Sequence, residues 1–288
     1  MALVLRKDNG RLLPDRSIFH ATAINHLAYG TTDYLKTREW YRDLFGMTVT
    51  YDDGKRCSVA WGNPPHELYI NNRQPQAVQI NHWAIGVSDF LDSASAKALL
   101  NSFNVPNVRY DGDWAWHTDD PDKIVLQVCA EVGCFPGAGP GHPRPEGWLP
   151  PADTLMRPSK TGWVPTALNH ISYRVPDYKR TRDWYMDLLG MKLTFEDGKQ
   201  CALTFGDPPN GLWISQGDGP LFTEIGISIE NFDLKKVEED IKKLGLKYTA
   251  AGDSAWTIYD PDGFPVQVCA EYGNYPGAAE DAFHQIKK

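Results

Sequence analysis

The sequence predicts an α+β chain built from four βαβββ modules in two pairs, and three observations carry that prediction. The first is a repeat: AINHLAYGTTDYLKTREWYRDLFGMTVTYDDGK, residues 23–55, returns as ALNHISYRVPDYKRTRDWYMDLLGMKLTFEDGK, residues 167–199. The second is a fainter echo after each copy, DDPDKIVLQVCAE at 119–131 and YDPDGFPVQVCAE at 259–271. The third is a change of period within each copy, from an apolar strand-like run to helical spacing and then to alternation.

Each strong repeat opens on an apolar stretch, AINHLAY or ALNHISY, that reads as a strand. An Asp follows, then TREWYRDLFG or TRDWYMDLLG, where apolar residues at helical spacing end on Gly46 or Gly190, the residue type that stops a helix. Alternating stretches separated by turn residues come next: MTVTYDD, CSVAW and ELYI in one copy, MKLTFED, CALTF and LWIS in the other. The intervening segments repeat the order more faintly. Residues 79–87 read as a strand, 90–103 as a helix, and NVRYDG, WAWHT and IVLQVCA as three strands. In the second half FTEIGISI, the helix LKKVEEDIKKLG, KYTAA, SAWTIY and PVQVCAE follow suit. This gives a first domain at 20–131, a Pro/Gly-rich linker at 132–166 and a second domain at 167–275.

Composition narrows the function classes. With 42% hydrophobic and 12% aromatic residues the 288-residue chain buries a substantial core. A net charge of -8 with no cluster of Lys and Arg argues against nucleic acid and anionic membrane as partners. No apolar run spans a bilayer, and the start lacks the apolar stretch of a secretory signal, so the expectation is a cytoplasmic protein. The five cysteines form no CxxC pair and are expected to be buried free thiols.

Three features together, the Asn-His pairs at 25–26, 81–82 and 169–170, the WYxDLxGM helix end, and DPD before a final strand, resemble the vicinal oxygen chelate superfamily. That superfamily includes glyoxalase I, fosfomycin and bleomycin resistance proteins, and type I extradiol dioxygenases. The resemblance covers the chain apart from the first 20 residues and the linker, and four modules in one chain most resemble the dioxygenases. It implies that each pair of modules curls into a cup of mixed sheet, with a divalent metal held by residues of the first and last strands.

Carried over residue by residue, the resemblance gives the N-terminal cup His26, Tyr69, His82 and Gln127, and the C-terminal cup His170, Trp213, Glu224 and Gln267. The middle residue of each last-strand triplet is expected to face the cup by alternation. His26, His82 and Gln127 are thus the expected metal ligands, for Fe, Mn, Zn or Ni. Gln127 departs from the family's usual Glu, and Glu67 or Glu131 would have to reach in for the set to include a carboxylate. His117, on the third strand of its module, falls where extradiol enzymes place an acid/base group; its counterpart is Thr257. Tyr69 joins it as a catalytic candidate, and Trp83 and Trp116 are expected to line a wall for a flat substrate, with ordinary strand packing the bland alternative. His66, His142 and His284 carry no assignment.

The N-terminal cup, richer in histidine, is expected to be the active one, although the family resemblance places the extradiol site in the second pair. The expected activity is that of a metal-dependent enzyme chelating a small oxygenated, aromatic substrate, dioxygenase-like. A glyoxalase-like isomerase or lyase and a metal-free sequestering protein stay open beside it. Substrate identity and self-association into a homo-oligomer are not decided by the sequence.

Overall fold

The computed structural model describes residues 17–62, 65–73, 79–130 and 158–270, and the backbone of a two-stranded hairpin, β1 (Leu5–Asp8) and β2 (Arg11–Pro14). The first module is β3 (Ala21–Thr31), α1 (Tyr34–Phe45), β4 (Thr48–Asp52), β5 (Arg56–Trp61) and β6 (His66–Asn72). The second is β7 (Gln79–Val87), α2 (Ser93–Ser102), β8 (Arg109–Tyr110), β9 (Ala115–Asp119) and β10 (Val125–Ala130). The third is β11 (Pro165–Val175), α3 (Tyr178–Leu189), β12 (Lys192–Glu196), β13 (Gln200–Phe205) and β14 (Asn210–Gln216). The fourth is β15 (Leu221–Ile229), α4 (Leu234–Lys243), β16 (Tyr248–Ala250), β17 (Ala255–Tyr259) and β18 (Pro265–Cys269).

All four helices start on an aspartate. Asp33, Asp92, Asp177 and Asp233 each accept from the backbone N–H three residues on, satisfying a donor the first turn leaves open. Asp92 therefore starts α2 at Ser93, later than the position 90 read from the sequence. Gly46 and Gly190 end α1 and α3 at φ 65° and 64°, a left-handed conformation that only glycine adopts without strain.

The modules join in pairs through their first strands. In the N-terminal half β3 lies antiparallel to β7, giving one eight-stranded mixed sheet in the order β4-β5-β6-β3-β7-β10-β9-β8. The C-terminal half repeats it as β12-β13-β14-β11-β15-β18-β17-β16. The α+β fold of four paired βαβββ modules is therefore present. One face of each sheet carries the helices and the core: Leu27, Leu68, Trp83, Ile85 and Leu126 in the first sheet, Ile171, Leu212, Ile227 and Val266 in the second. The opposite face forms the cup.

The core runs through both halves as one cluster, and Trp163, assigned to the linker, packs in it against Phe45 with ring centroids 5.6 Å apart. β11 begins at Pro165, so the last linker residues are already strand. The repeated DPD turns join the halves crosswise. Asp120 accepts from the N–H groups of Asp122 and Ile124 and from Tyr185 Oη of the third module, and Asp122 holds Arg180 and Thr181. Asp260 and Asp262 repeat the turn in the fourth module, and Asp262 accepts from Thr32 of the first. The motif is thus an interdomain latch.

Burial pushes the Asp120 carboxyl up to about 7. Its folded pKa exceeds the unfolded one, so this group weakens the fold as pH rises from about 4 to about 7, and the loss stays complete above that. Asp120→Asn keeps the amide-accepting oxygen and cannot ionise. It is expected to be more stable than the parent at pH 8, on the order of 1–3 kcal/mol, and to lose that advantage near pH 4. Urea unfolding at the two pH values checks it.

Cys57, Cys201 and Cys269 are buried free thiols, as expected, whereas Cys129 is disulfide-bonded, which departs from the free-thiol reading. Among the described residues no helix is long and apolar enough to cross a membrane.

Candidate metal and substrate site

Strand register decides which side chains share the cup. Across the N-terminal sheet Glu67, His26, Ala84, Gln127, His117 and Arg109 pair in turn, so all stand on one face in one row. A neighbouring row on the same face holds Ser58, Tyr69, Ala28 and His82. Successive strand residues face opposite ways, and Trp83 and Trp116 therefore lie on the helix side. Trp83 is fully buried against Tyr185, and Trp116 donates its indole N–H to Ser93 under α2. The expected aromatic wall of Trp83 and Trp116 is corrected: both are core residues.

The three histidines come together. His26 Nε2 lies 3.0 Å from His82 Nε2, and the His82 and His117 rings meet edge-on with centroids 4.8 Å apart. Asn25 Oδ1 stands 2.8 Å from His26 Nδ1; an oxygen acceptor there puts the ring proton on Nδ1 and leaves Nε2 as a lone pair. Burial holds His26 down to about 3, with His117 adding to the effect. The same cause, with both neighbouring histidines, holds His82 well below the usual imidazole range. Both rings are accordingly neutral near pH 7, the form that ligates metals.

Gln127 donates its amide N–H to Asp111 Oδ2 at 2.8 Å, while its buried Oε1 has no hydrogen-bond partner at bonding distance. That oxygen faces the imidazoles, and Gln127 raises the proton affinity of both His26 and His82. Asp111, which the sequence reading missed because it lies in a turn, also stands 3.8 Å from His117 Nδ1. His117 is half-buried; burial lowers its pKa and Asp111 opposes the shift. Glu67, beside His26 in the row, is buried with its carboxyl pushed up to about 8 by burial. Its Oε1 accepts from Thr50 Oγ1 at 3.1 Å, and Ser58 in the neighbouring row joins Thr50 in opposing the effect of burial. Tyr69 is half-exposed, its ring parallel to that of Tyr51 with centroids 6.1 Å apart. Glu131 lies outside the described residues.

The donor set fits a divalent ion. Two nitrogens held about 2.1 Å from one ion at a right angle stand about 3.0 Å apart, which is the His26–His82 separation. The buried Gln127 amide oxygen, without a partner at bonding distance but favouring the protonated form of both rings, faces the same place. Among the described residues no group of three or more His, Cys, Asp or Glu side chains is placed to hold a metal, and the Gln127 amide oxygen is the further donor in the row.

The C-terminal cup departs at the matching positions. His170 again sits beside an Asn oxygen, 2.9 Å from Asn169 Oδ1, but Glu67 is replaced by Gly211, His82 by Glu224 and His117 by Thr257. A single methyl also separates the halves. His26 pairs with Ala84, whereas His170 pairs with Gly226, where an added Cβ would stand 2.2 Å from His170 Cε1. The His170 ring occupies the space a methyl would fill, and its Nε2 stands 3.9 Å from Glu224 Oε1. Trp213 donates to Gln200 Oε1 at 3.0 Å within that cup.

A cavity of about 1060 Å³ lies between the halves, lined by Trp61, His66, Trp163 and Asn210 among others. His26, His82 and His117 do not line it, so the histidine cluster and this cavity are separate.

Residues 167–219 match the family described as the Glyoxalase/Bleomycin resistance protein/Dioxygenase superfamily. No protein of curated function matches the chain by sequence. Among solved structures, the Mn(II)-bound glyoxalase from Novosphingobium aromaticivorans superposes with TM-score 0.66 at 18% identity, covering 88% of this chain and 83% of the other. Homoprotocatechuate 2,3-dioxygenase from Brevibacterium fuscum, in complex with 3,4-dihydroxyphenylacetate, superposes with TM-score 0.65 at 19% identity, covering 90% and 83%. At these identities the likeness establishes the fold.

Proposed function

We propose, for a chain with the tandem fold of the vicinal oxygen chelate proteins and their sequence signature in its third module, a divalent-metal enzyme with its site in the N-terminal cup. The observation that carries this reading is the pair of neutral imidazoles of His26 and His82, their Nε2 atoms 3.0 Å apart and faced by the buried Gln127 amide. The substrate is a small, aromatic molecule with two adjacent oxygens, and the chemistry is dioxygenase-like, as in the Brevibacterium neighbour.

His26, His82 and Gln127 would hold the ion, with Glu67 the nearest carboxyl in the row. Bound there, Fe, Mn, Zn or Ni supplies Lewis-acid stabilisation of ionised substrate oxygens. The chain supplies the rest. His117, neutral and beside His82, takes a proton from a substrate hydroxyl, and Asp111 stabilises the imidazolium that forms. Tyr69 presents its ring to the substrate from the facing wall, which favours a flat ligand.

One observation favours proton transfer without oxygen as a second reading. The last-strand carboxylate is replaced by Gln127, while the Glu67 carboxyl, at about 8, is poised to exchange a proton near neutral pH. The fold is shared with a Mn(II)-bound glyoxalase as well as with the dioxygenase. An oxygen electrode separates the two. Fe(II)-loaded protein given 3,4-dihydroxyphenylacetate is expected to consume one oxygen per ring opened; absence of uptake by protein that binds the diol favours the second reading instead.

A further inference from the structure

The cup-facing surfaces of the two halves differ in charge at one matching position of the third strand in each. Arg56 lies two residues before Ser58 on β5 and so shares the face of the cup. Its guanidinium carbon stands 5.5 Å from the Tyr69 ring centroid and 5.8 Å from that of Tyr51, whose rings are parallel. Nε donates to Asp53 Oδ2 at 2.9 Å and the Tyr51 hydroxyl also engages the guanidinium, while the side chain is 46% exposed, so N–H donors remain open to a ligand on the cup-facing side.

The other half shows that folding does not require this cation. The matching residue is Gln200, and the turn before it closes in the same way. Asp53 Oδ1 accepts from the N–H groups of Lys55 and Arg56, and Asp197 Oδ1 accepts from those of Lys199 and Gln200. Gln200 bonds Asp197 and Trp213 where Arg56 bonds Asp53 and lies over Tyr69. The cation is thus confined to the cup that gathers three histidines, in a chain of net charge -8.

We propose that Arg56 selects substrates bearing a carboxylate, taking that group at the mouth of the N-terminal cup while the Tyr69 ring backs the substrate. A guanidinium fork matches the two oxygens of a carboxylate, and its stacking on an aromatic face fixes the plane of the fork. This rests on the N-terminal cup being the substrate site.

The test compares 3,4-dihydroxyphenylacetate with the uncharged diol bearing a methyl group in place of its carboxymethyl arm, by calorimetry on Mn(II)-loaded protein. The parent is expected to bind the acid about tenfold or more tighter. Arg56→Gln, which installs the residue the second half uses at this turn, is expected to abolish that preference by weakening the acid alone. A preference that survives Arg56→Gln, an equal loss for both diols, or a preference removed by Arg109→Thr instead would overturn the proposal. If neither diol binds, the chelation reading fails by itself, and phenylacetate on metal-free protein decides for Arg56. Saturation transfer to phenylacetate that is lost in Arg56→Gln supports the carboxylate role, and none in the parent overturns it.

Discussion

His26→Ala and His82→Ala are each expected to lower divalent-metal affinity by at least about a hundredfold, beyond the 10–100-fold that loss of a supporting partner costs. His170→Ala is expected to leave metal uptake at the parent level. The difference follows from geometry. His26 and His82 share a hydrogen bond between Nε2 atoms 3.0 Å apart that an ion would replace, whereas His170 lies over Gly226 with Glu224 as its acidic neighbour. Equilibrium dialysis against Mn(II), with circular dichroism to confirm folding, measures all three variants. Loss of metal in His170→Ala alone would move the site to the C-terminal half.

His117→Gln is expected to lower kcat by about a hundredfold or more, the usual worth of a positioned acid or base, with metal content unchanged. A pH profile separates proton transfer from mere packing. Burial sets the His117 pKa below the ordinary imidazole value, so the parent's kcat/KM is expected to fall as pH drops through a value below about 6.5, where the base becomes protonated. In His117→Gln that acidic limb should disappear. A loss of metal would make His117 a ligand, and a parent-like rate with an unchanged limb would leave it a packing residue.

The architecture was legible because the chain repeats itself. Two copies of strand, capped helix and three strands constrain each other, and the glycines after α1 and α3 mark the same stop twice. The face of each strand was also legible, and there the sequence reading contradicted itself. His82 and Trp83, like His117 and Trp116, are neighbours on one strand, so one of each pair had to face the helices. With the histidines placed in the cup, alternation removes both tryptophans from it. It could not choose between Glu67 and Tyr69, which share a face; only the register of β6 against β3 puts Glu67 beside His26 and Tyr69 in the His82 row. Asp111 was out of reach for a different reason. It reaches Gln127 and His117 from a turn, and no periodicity reports a turn residue's tertiary partners. The DPD motif was visible as a resemblance, but its work as a crosswise latch required both halves in place. The contrast between Ala84 and Gly226 was present in the sequence and meaningless until each was seen to pair with a histidine.

Anomalous X-ray scattering at the manganese edge, from crystals equilibrated with Mn(II), tests the central claim most directly. A peak within bonding distance of both His26 Nε2 and His82 Nε2, with none in the other half, is the predicted result. A peak beside His170 and Glu224, or no peak in the N-terminal cup at saturating Mn(II), would contradict it.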